Sequence, residues 1–303
     1  MATEARQKLR YLDPATLQKI GPLELVAREV VEGLRVGMHK SPLRGFSTEF
    51  AHHRQYVAGD TIRHIDWRVY ARSERYYLKL YDAETNFDAH LLLDGSSSMH
   101  YASGAVSKLE YAKYIAASLA YLIVHQRDSV GLAVFDGELR SYIPPKSTLG
   151  IIGNIARELE AVEGKPKTNI TGILHDFAHR IKRRGFVILI SDLFEATDEF
   201  LKGLDHLRFC GHNVVVFHTM DPYELSFPFD GTRRFRGLEE EGQIITQPKR
   251  VREAYLAEVR KFLTKVKTTC DRGNIGYVLA DTSKPIDVML TAYLLGRIRS
   301  KVS

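Results

Sequence analysis

The apolar positions of this chain fall into two alternating periods. Short unbroken apolar runs, Leu91-Leu92-Leu93, FVILI at 186 to 190, NVVVFHT at 213 to 219 and NIGYVLA at 274 to 280, are bounded by turn residues and predict buried strands. Between them the spacing changes to that of a helix. In SKLEYAKYIAASLAYLIVHQ, residues 107 to 126, Leu109, Tyr114, Ile115, Leu119 and Leu122 recur on one face, and similar patterns mark about 147 to 162, 170 to 183, 197 to 209, 250 to 270 and 286 to 299. SVGLAVFDGELRSYIP, residues 129 to 144, holds two β-type runs joined by Asp136-Gly137, a hairpin signal that implies an antiparallel edge strand. Strands alternating with helices predict an α/β fold, a mostly parallel sheet with helices on both faces.

Two segments interrupt the alternation. Residues 1 to 85 carry a helix-like pattern near 15 to 37 and then a turn-rich stretch ending in IRHIDWRVYARSERYYLKLYDAE, which reads as β-type residues broken by charges. This predicts an N-terminal helix and β-rich segment ahead of a main domain over 86 to 303. Residues 221 to 249, with Pro222, Pro228, Pro248 and Asp230-Gly231, predict a hairpin inserted into that domain.

Composition narrows the class. Cys210 and Cys270 lie far apart with no Cys-x-x-Cys motif, so neither a disulfide framework nor a zinc site is implied, and a reducing cytoplasmic setting is expected. The first residues lack the apolar core of a signal peptide, and YIAASLAYLIV at 114 to 124 is too short to span a bilayer. The net charge of +6 is spread evenly: 14 Lys and Arg stand against 11 Asp and Glu in residues 1 to 85, and 29 against 26 in the rest. No basic arm for nucleic acid is present. HRIKRRG at 179 to 185 reads as a helix end, with cations favoured by the helix dipole and Gly185 as a C-cap.

The chemistry concentrates where FDAHLLLDGSSSMHYA, residues 87 to 102, runs from a buried strand into Asp94 and three serines. Ligands of open α/β sheets sit beyond the carboxyl ends of the strands, so the loops after Leu93 and Ile190 are expected to be neighbours. Asp94, Ser96 and Ser98 form D-x-S-x-S, Thr168 in KPKTNITG adds a hydroxyl, and Asp192 adds a second strand-end carboxylate. These are hard oxygen donors, which suit Mg²⁺ or Mn²⁺ rather than zinc or copper. The alternative is that the same polar residues cap helices and turns.

Enzyme patterns are incomplete. A haloacid dehalogenase phosphatase needs a second Asp where Ser96 stands, and the G-x-S-x-G elbow fails at Met99. Neither standard nucleotide-binding loop occurs. A metal-dependent hydrolase using Asp94 and Asp192 is the alternative function, with His100 the nearest base in sequence. His52, His53 and His64 read as surface or hydrogen-bonding histidines. Arg63, Asp66 and Arg72 read as an ion-pair network fastening the N-terminal segment beside Trp67.

D-G-S-S-S, the Thr of KTNITG and the Asp of VILISD together resemble the metal-ion-dependent adhesion site of von Willebrand factor A domains. The order of elements from 86 to 303 is similar to that Rossmann-like fold. Upstream, Gly59-Asp60, Arg63, Ile65-Asp66-Trp67 and Ala71-Arg72 resemble the signature region of the domain-of-unknown-function 58 family. The resemblance implies a divalent cation held by Asp94, Ser96, Ser98, Thr168 and Asp192, and the incomplete enzyme patterns lead to the expectation that the chain is not itself an enzyme. Many members are encoded beside MoxR-type AAA+ ATPases, which implies an adaptor that binds such an ATPase or its substrate through an acidic side chain.

Overall fold

The computed structural model describes residues 49–57, 65–82, 87–125, 127–163, 170–194, 198–237 and 242–284, together with 286, 289, 290 and 293. The helix-like pattern at 15 to 37, Arg63, His64 and Thr168 lie outside the described residues, as does most of the helix expected at 286 to 299. The described residues fall into two compact units, one within 29–86 and the other from Phe87 onward.

In the smaller unit, β1 (Glu49–Gln55) pairs antiparallel with β2 (Tyr77–Asp82), and Ile65 bridges to Leu78. His52 and His53 lie on β1, opposite Leu80 and Lys79. Between the strands runs α1 (Trp67–Ser73), where the sequence pattern read as broken β. The helix forms because Asp66 is its N-cap: its carboxylate accepts from the Arg68 and Val69 N–H groups, at 3.0 and 3.3 Å. Asp66 thus serves the helix start; the ion-pair reading with Arg63 reaches outside the described residues. Trp67 is 60% exposed, its ring edge-on to Tyr70 at 6.1 Å.

The larger unit is built on a six-stranded sheet. Its strands are β3 (Asp88–Asp94), β4 (Ser129–Phe135), β5 (Leu139–Lys146), β6 (Gly185–Ser191), β7 (Asn213–Met220) and β10 (Gly276–Asp281), in the spatial order β10-β7-β6-β3-β4-β5. All neighbours are parallel except β4 and β5, the hairpin turning at Asp136-Gly137. The chain leaves β3 toward β4 on one side and resumes at β6 on the other, so the winding reverses between β3 and β6. The architecture is Rossmann-like, and this reversal is where such sheets open a crevice.

Helices cover both faces. α2 (Lys108–His125) lies against β3, β4, β6 and β7 and is buried almost all round, which accounts for its lack of a polar face. On the opposite face α4 (Ile170–Arg180) and α5 (Asp198–Phe209) pack Leu174, Phe177, Phe200 and Leu204 against Leu92, Val187 and Leu189. Alternation along the strands therefore gives each face its own core. α3 (Gly150–Ala161) follows the hairpin. α4 stops at Arg180, and Gly185 opens β6 instead of capping the helix. A Cβ there would lie 2.2 Å from the Asp88 carbonyl oxygen, so the close pairing of β6 with β3 requires glycine.

The inserted segment holds a hairpin, β8 (Arg233–Arg236) with β9 (Gln243–Thr246), but begins with a short helix, α6 (Pro222–Ser226). Asp221 and Glu224 form a capping box around Pro222, a start signal that a hairpin reading overlooks. Phe227 stacks on Phe235 and lies 4.5 Å from Tyr255 in α7 (Pro248–Arg272), making a small aromatic core that holds the first half of this helix. Among the described residues, no helix is long and apolar enough to cross a membrane. Cys210 is exposed and Cys270 buried, and both are free thiols.

Candidate functional site

The crevice between β3 and β6 brings four of the five sequence-predicted residues together. Leu93 pairs with Ile190, so Asp94 and Ser191 end adjacent strands side by side and Asp192 follows one step beyond. Asp94, Ser96, Ser98 and Asp192 are all at most 5% exposed.

The glycine of the Asp-Gly-Ser turn has a steric cause. Its N–H donates to the Phe135 carbonyl at 2.7 Å, and a Cβ on Gly95 would lie 3.2 Å from the Val162 side chain and 3.4 Å from that carbonyl oxygen. The turn then folds back on its acid: the Ser96 N–H donates to Asp94 Oδ1 at 2.9 Å, and Ser191 Oγ donates to Asp94 Oδ2 at 2.5 Å. Ser191 also accepts the Leu193 N–H at 2.9 Å, which ties the two loops through one hydroxyl. Ser96 stands at the N-cap of the 3₁₀ turn Ser97–His100 but makes no side-chain capping bond. Its hydroxyl instead lies 3.0 Å from that of Ser98, so the two oxygens face each other beside the carboxylate. Plain helix capping does not account for that pair.

Asp192 has a different environment. Its Oδ2 accepts from Lys108 Nζ at 2.7 Å, its Oδ1 from the Phe194 N–H at 3.1 Å, and its backbone carbonyl from His218 Nε2 at 2.9 Å. Since that carbonyl only accepts, His218 carries its proton on Nε2, and Nδ1 accepts from the Tyr277 hydroxyl at 2.9 Å. Burial holds the His218 imidazole neutral, its pKa drawn down to about 4. Leu193 adopts a left-handed backbone, φ 55°, which turns its own side chain fully inward while Phe194 stands 59% exposed at the rim.

Lys108 was not legible as a site residue. It is the first residue of α2, 1% exposed, at a helix end whose dipole disfavours a cation. Two carboxylates hold it there, Asp192 and Glu224 Oε1, each at 2.7 Å, and they raise its pKa against the pull of burial. Glu224 comes from α6, so the inserted segment reaches the mouth of the crevice. Asp221 does so as well, accepting the Ser103 N–H at 2.8 Å and thereby anchoring the loop after the 3₁₀ turn. His100 is exposed at the end of that turn.

The electrostatics separate the two acids. Asp94 is fully buried, receives only N–H and O–H groups, and is repelled by Asp192; burial first and that repulsion second push its pKa up to about 7. A carboxylate with two serine hydroxyls beside it, lacking a cation of its own, is a donor set that fits a hard divalent ion. Asp192 already has its counter-charge in Lys108.

The sequence matches the model described as "Protein of unknown function DUF58" over residues 52–264. It is 23% identical over 223 residues to uncharacterized proteins of Mycobacterium bovis and Mycobacterium tuberculosis, covering 71% of this chain and 68% of each relative. Among solved structures it is similar to BatB, a conserved hypothetical protein from Bacteroides thetaiotaomicron, at TM-score 0.48 and 21% identity, covering 70% of this chain and 99% of that one. An aerotolerance-related membrane protein from Bacteroides fragilis aligns at TM-score 0.47 and 22% identity, over 69% and 99% of the two chains. The match over most of its length shows that the chain belongs to the DUF58 family of proteins of unknown function.

Proposed function

We propose that this protein is a divalent-cation-dependent protein-binding module of the von Willebrand A type. Asp94, Ser96 and Ser98 would hold Mg²⁺ or Mn²⁺, with Thr168 and Asp192 contributing directly or through water. The observation that carries the reading is the Asp94 carboxylate, buried without a cationic partner beside two facing serine hydroxyls at the sheet's reversal point. When bound, the ion would supply residual positive charge and an open coordination position for an acidic side chain of a partner.

Lys108 bears on Asp192's share. While the ammonium keeps its 2.7 Å contact, the nearer oxygen of Asp192 is occupied, which favours a water-bridged role over direct ligation. The same engagement counts against the hydrolase alternative, which requires Asp192 free to act on substrate or water. The partner we infer is a MoxR-type AAA+ ATPase or its substrate, with this chain as an adaptor in complex assembly or remodelling.

The test is calorimetric titration of Mg²⁺ and Mn²⁺ into wild type and Asp94→Ala, paired with capture of a co-expressed MoxR-type ATPase with and without EDTA. Saturable metal binding lost in the variant, with capture abolished by EDTA, supports the proposal. A wild-type protein that binds neither ion removes it.

A further inference from the structure

A second cluster of metal-competent side chains lies on the opposite face of the sheet from α2. His175 and His179 are one helical turn apart on α4, and His206 projects from α5, with one ring nitrogen of each within 4.8 Å of the others. The rings of His175 and His206 are 4.5 Å apart between centroids, those of His179 and His206 5.5 Å. Gly203 lies at the crossing that brings them together, where a Cβ would sit 3.2 Å from the Leu174 Cβ, so glycine eases the close approach of the two helices.

We propose that His175, His179 and His206 bind one divalent transition-metal ion of the zinc class, which staples α4 to α5. Imidazole is the ligand such ions prefer, and two histidines at i and i+4 present their nitrogens on one face. Three imidazoles at about 2.0–2.1 Å from a tetrahedral ion lie roughly 3.3 Å from one another. His175 and His179 are exposed, and the three ring nitrogens already lie within 4.8 Å of one another. His206 Nδ1 is buried and has no hydrogen-bond partner, an orphan atom of the kind a metal would satisfy.

His179 and His206 lie in the last turns of their helices, where the dipole favours a cation. Three protein ligands leave a fourth position for water or an exogenous donor. The site is separate from the oxygen-donor crevice and prefers a different class of ion.

The test is titration of the full chain with Zn²⁺ against a chromophoric chelator in excess Mg²⁺, with Co²⁺ as an optical probe. Wild type is expected to bind one Zn²⁺, to show the intense visible bands of tetrahedral Co²⁺, and to melt at a higher temperature with Zn²⁺. Affinity is expected to fall at least tenfold in each of His175→Ala, His179→Ala and His206→Ala, and to hold in His125→Ala, an exposed histidine outside the cluster. Because His175 and His179 are exposed, their variants remain informative even if His206→Ala folds poorly. Absence of saturable Zn²⁺ binding, or a loss shared equally by His125→Ala, overturns the proposal.

Discussion

Replacing Asp94 by Asn is expected to stabilise the metal-free protein at neutral pH, an unusual direction for a fully buried polar residue. The unfolded carboxyl titrates near its ordinary value of 3.8, whereas in the fold it titrates near 7. Between those values the folded protein holds a proton that the unfolded chain has lost, so stability falls as pH rises through this window. The contribution is fully present below 3.8 and lost once pH passes about 7. At about 1.36 kcal/mol per pH unit the total is about 4 kcal/mol, of which about 3 kcal/mol falls between pH 5 and 8. Asn keeps an oxygen for the Ser96 N–H and carries no charge, so it removes this dependence. Denaturant unfolding of both proteins in EDTA across pH 5 to 8 measures the difference between them, in which the other titrating groups cancel. The variant's advantage should grow with pH by about that 3 kcal/mol. Mg²⁺ should restore wild type alone, by an amount that rises with the logarithm of its concentration. A difference between the two proteins that stays constant across the range would refute the assignment of Asp94 as an uncompensated buried acid.

Three further outcomes are expected. Lys108→Met leaves Asp192 buried without its cation and should cost about 3–5 kcal/mol at neutral pH by denaturant unfolding; Lys108→Arg, which keeps a charge, should lose less. His218→Gln should flatten the acid limb of stability: the folded imidazole titrates near 4 against an ordinary 6.5, so wild type loses about 3 kcal/mol from this group as pH falls through that interval. Asp66→Ala should cost about 0.5–2 kcal/mol in the unit that holds it, read as earlier hydrogen exchange in α1 and β2, and Asp66→Asn should recover most of that loss.

The strands and long helices were legible because each carries one dominant period. LLLD and VILIS are buried on both faces and need no alternation, and α2 needs no polar side because sheet and loops surround it. What the periods missed were elements whose signal lies in a single capping residue. WRVYARS spans only two turns, too few for periodicity, and its helix depends on Asp66; PYELS depends on the box formed by Asp221 and Glu224. For the site, D-x-S-x-S delivered Asp94, Ser96 and Ser98, while Lys108 looked like any lysine at a helix start. Its role appears only when Asp192, 84 positions away, and Glu224, 116 away, converge on it. The histidine pair in HDFAH stands at helical spacing but was not legible as a site, because its third member comes only from the crossing of α4 and α5.

The charge inventory of the crevice explains why two similar acids have unequal environments. Asp192 and Glu224 share one ammonium, which leaves that group of three with one negative charge. Asp94 adds another when ionised, while Asp221, hydrogen-bonded by the Tyr223 and Ser103 N–H groups, is left out of this set. The four groups Asp94, Asp192, Glu224 and Lys108 therefore carry a deficit of two charges, which one divalent cation would neutralise and a second lysine would not. Glu224 is what sets that balance, for without it Lys108 and Asp192 would already be neutral and a dication beside Asp94 would leave the crevice with excess positive charge. On the proposed reading, the inserted α6 would thereby tune the crevice for a doubly charged ion. On this argument Glu224→Gln should weaken Mg²⁺ binding without removing any ligand, and an unchanged affinity would mean that the charge of the insertion is irrelevant to the site.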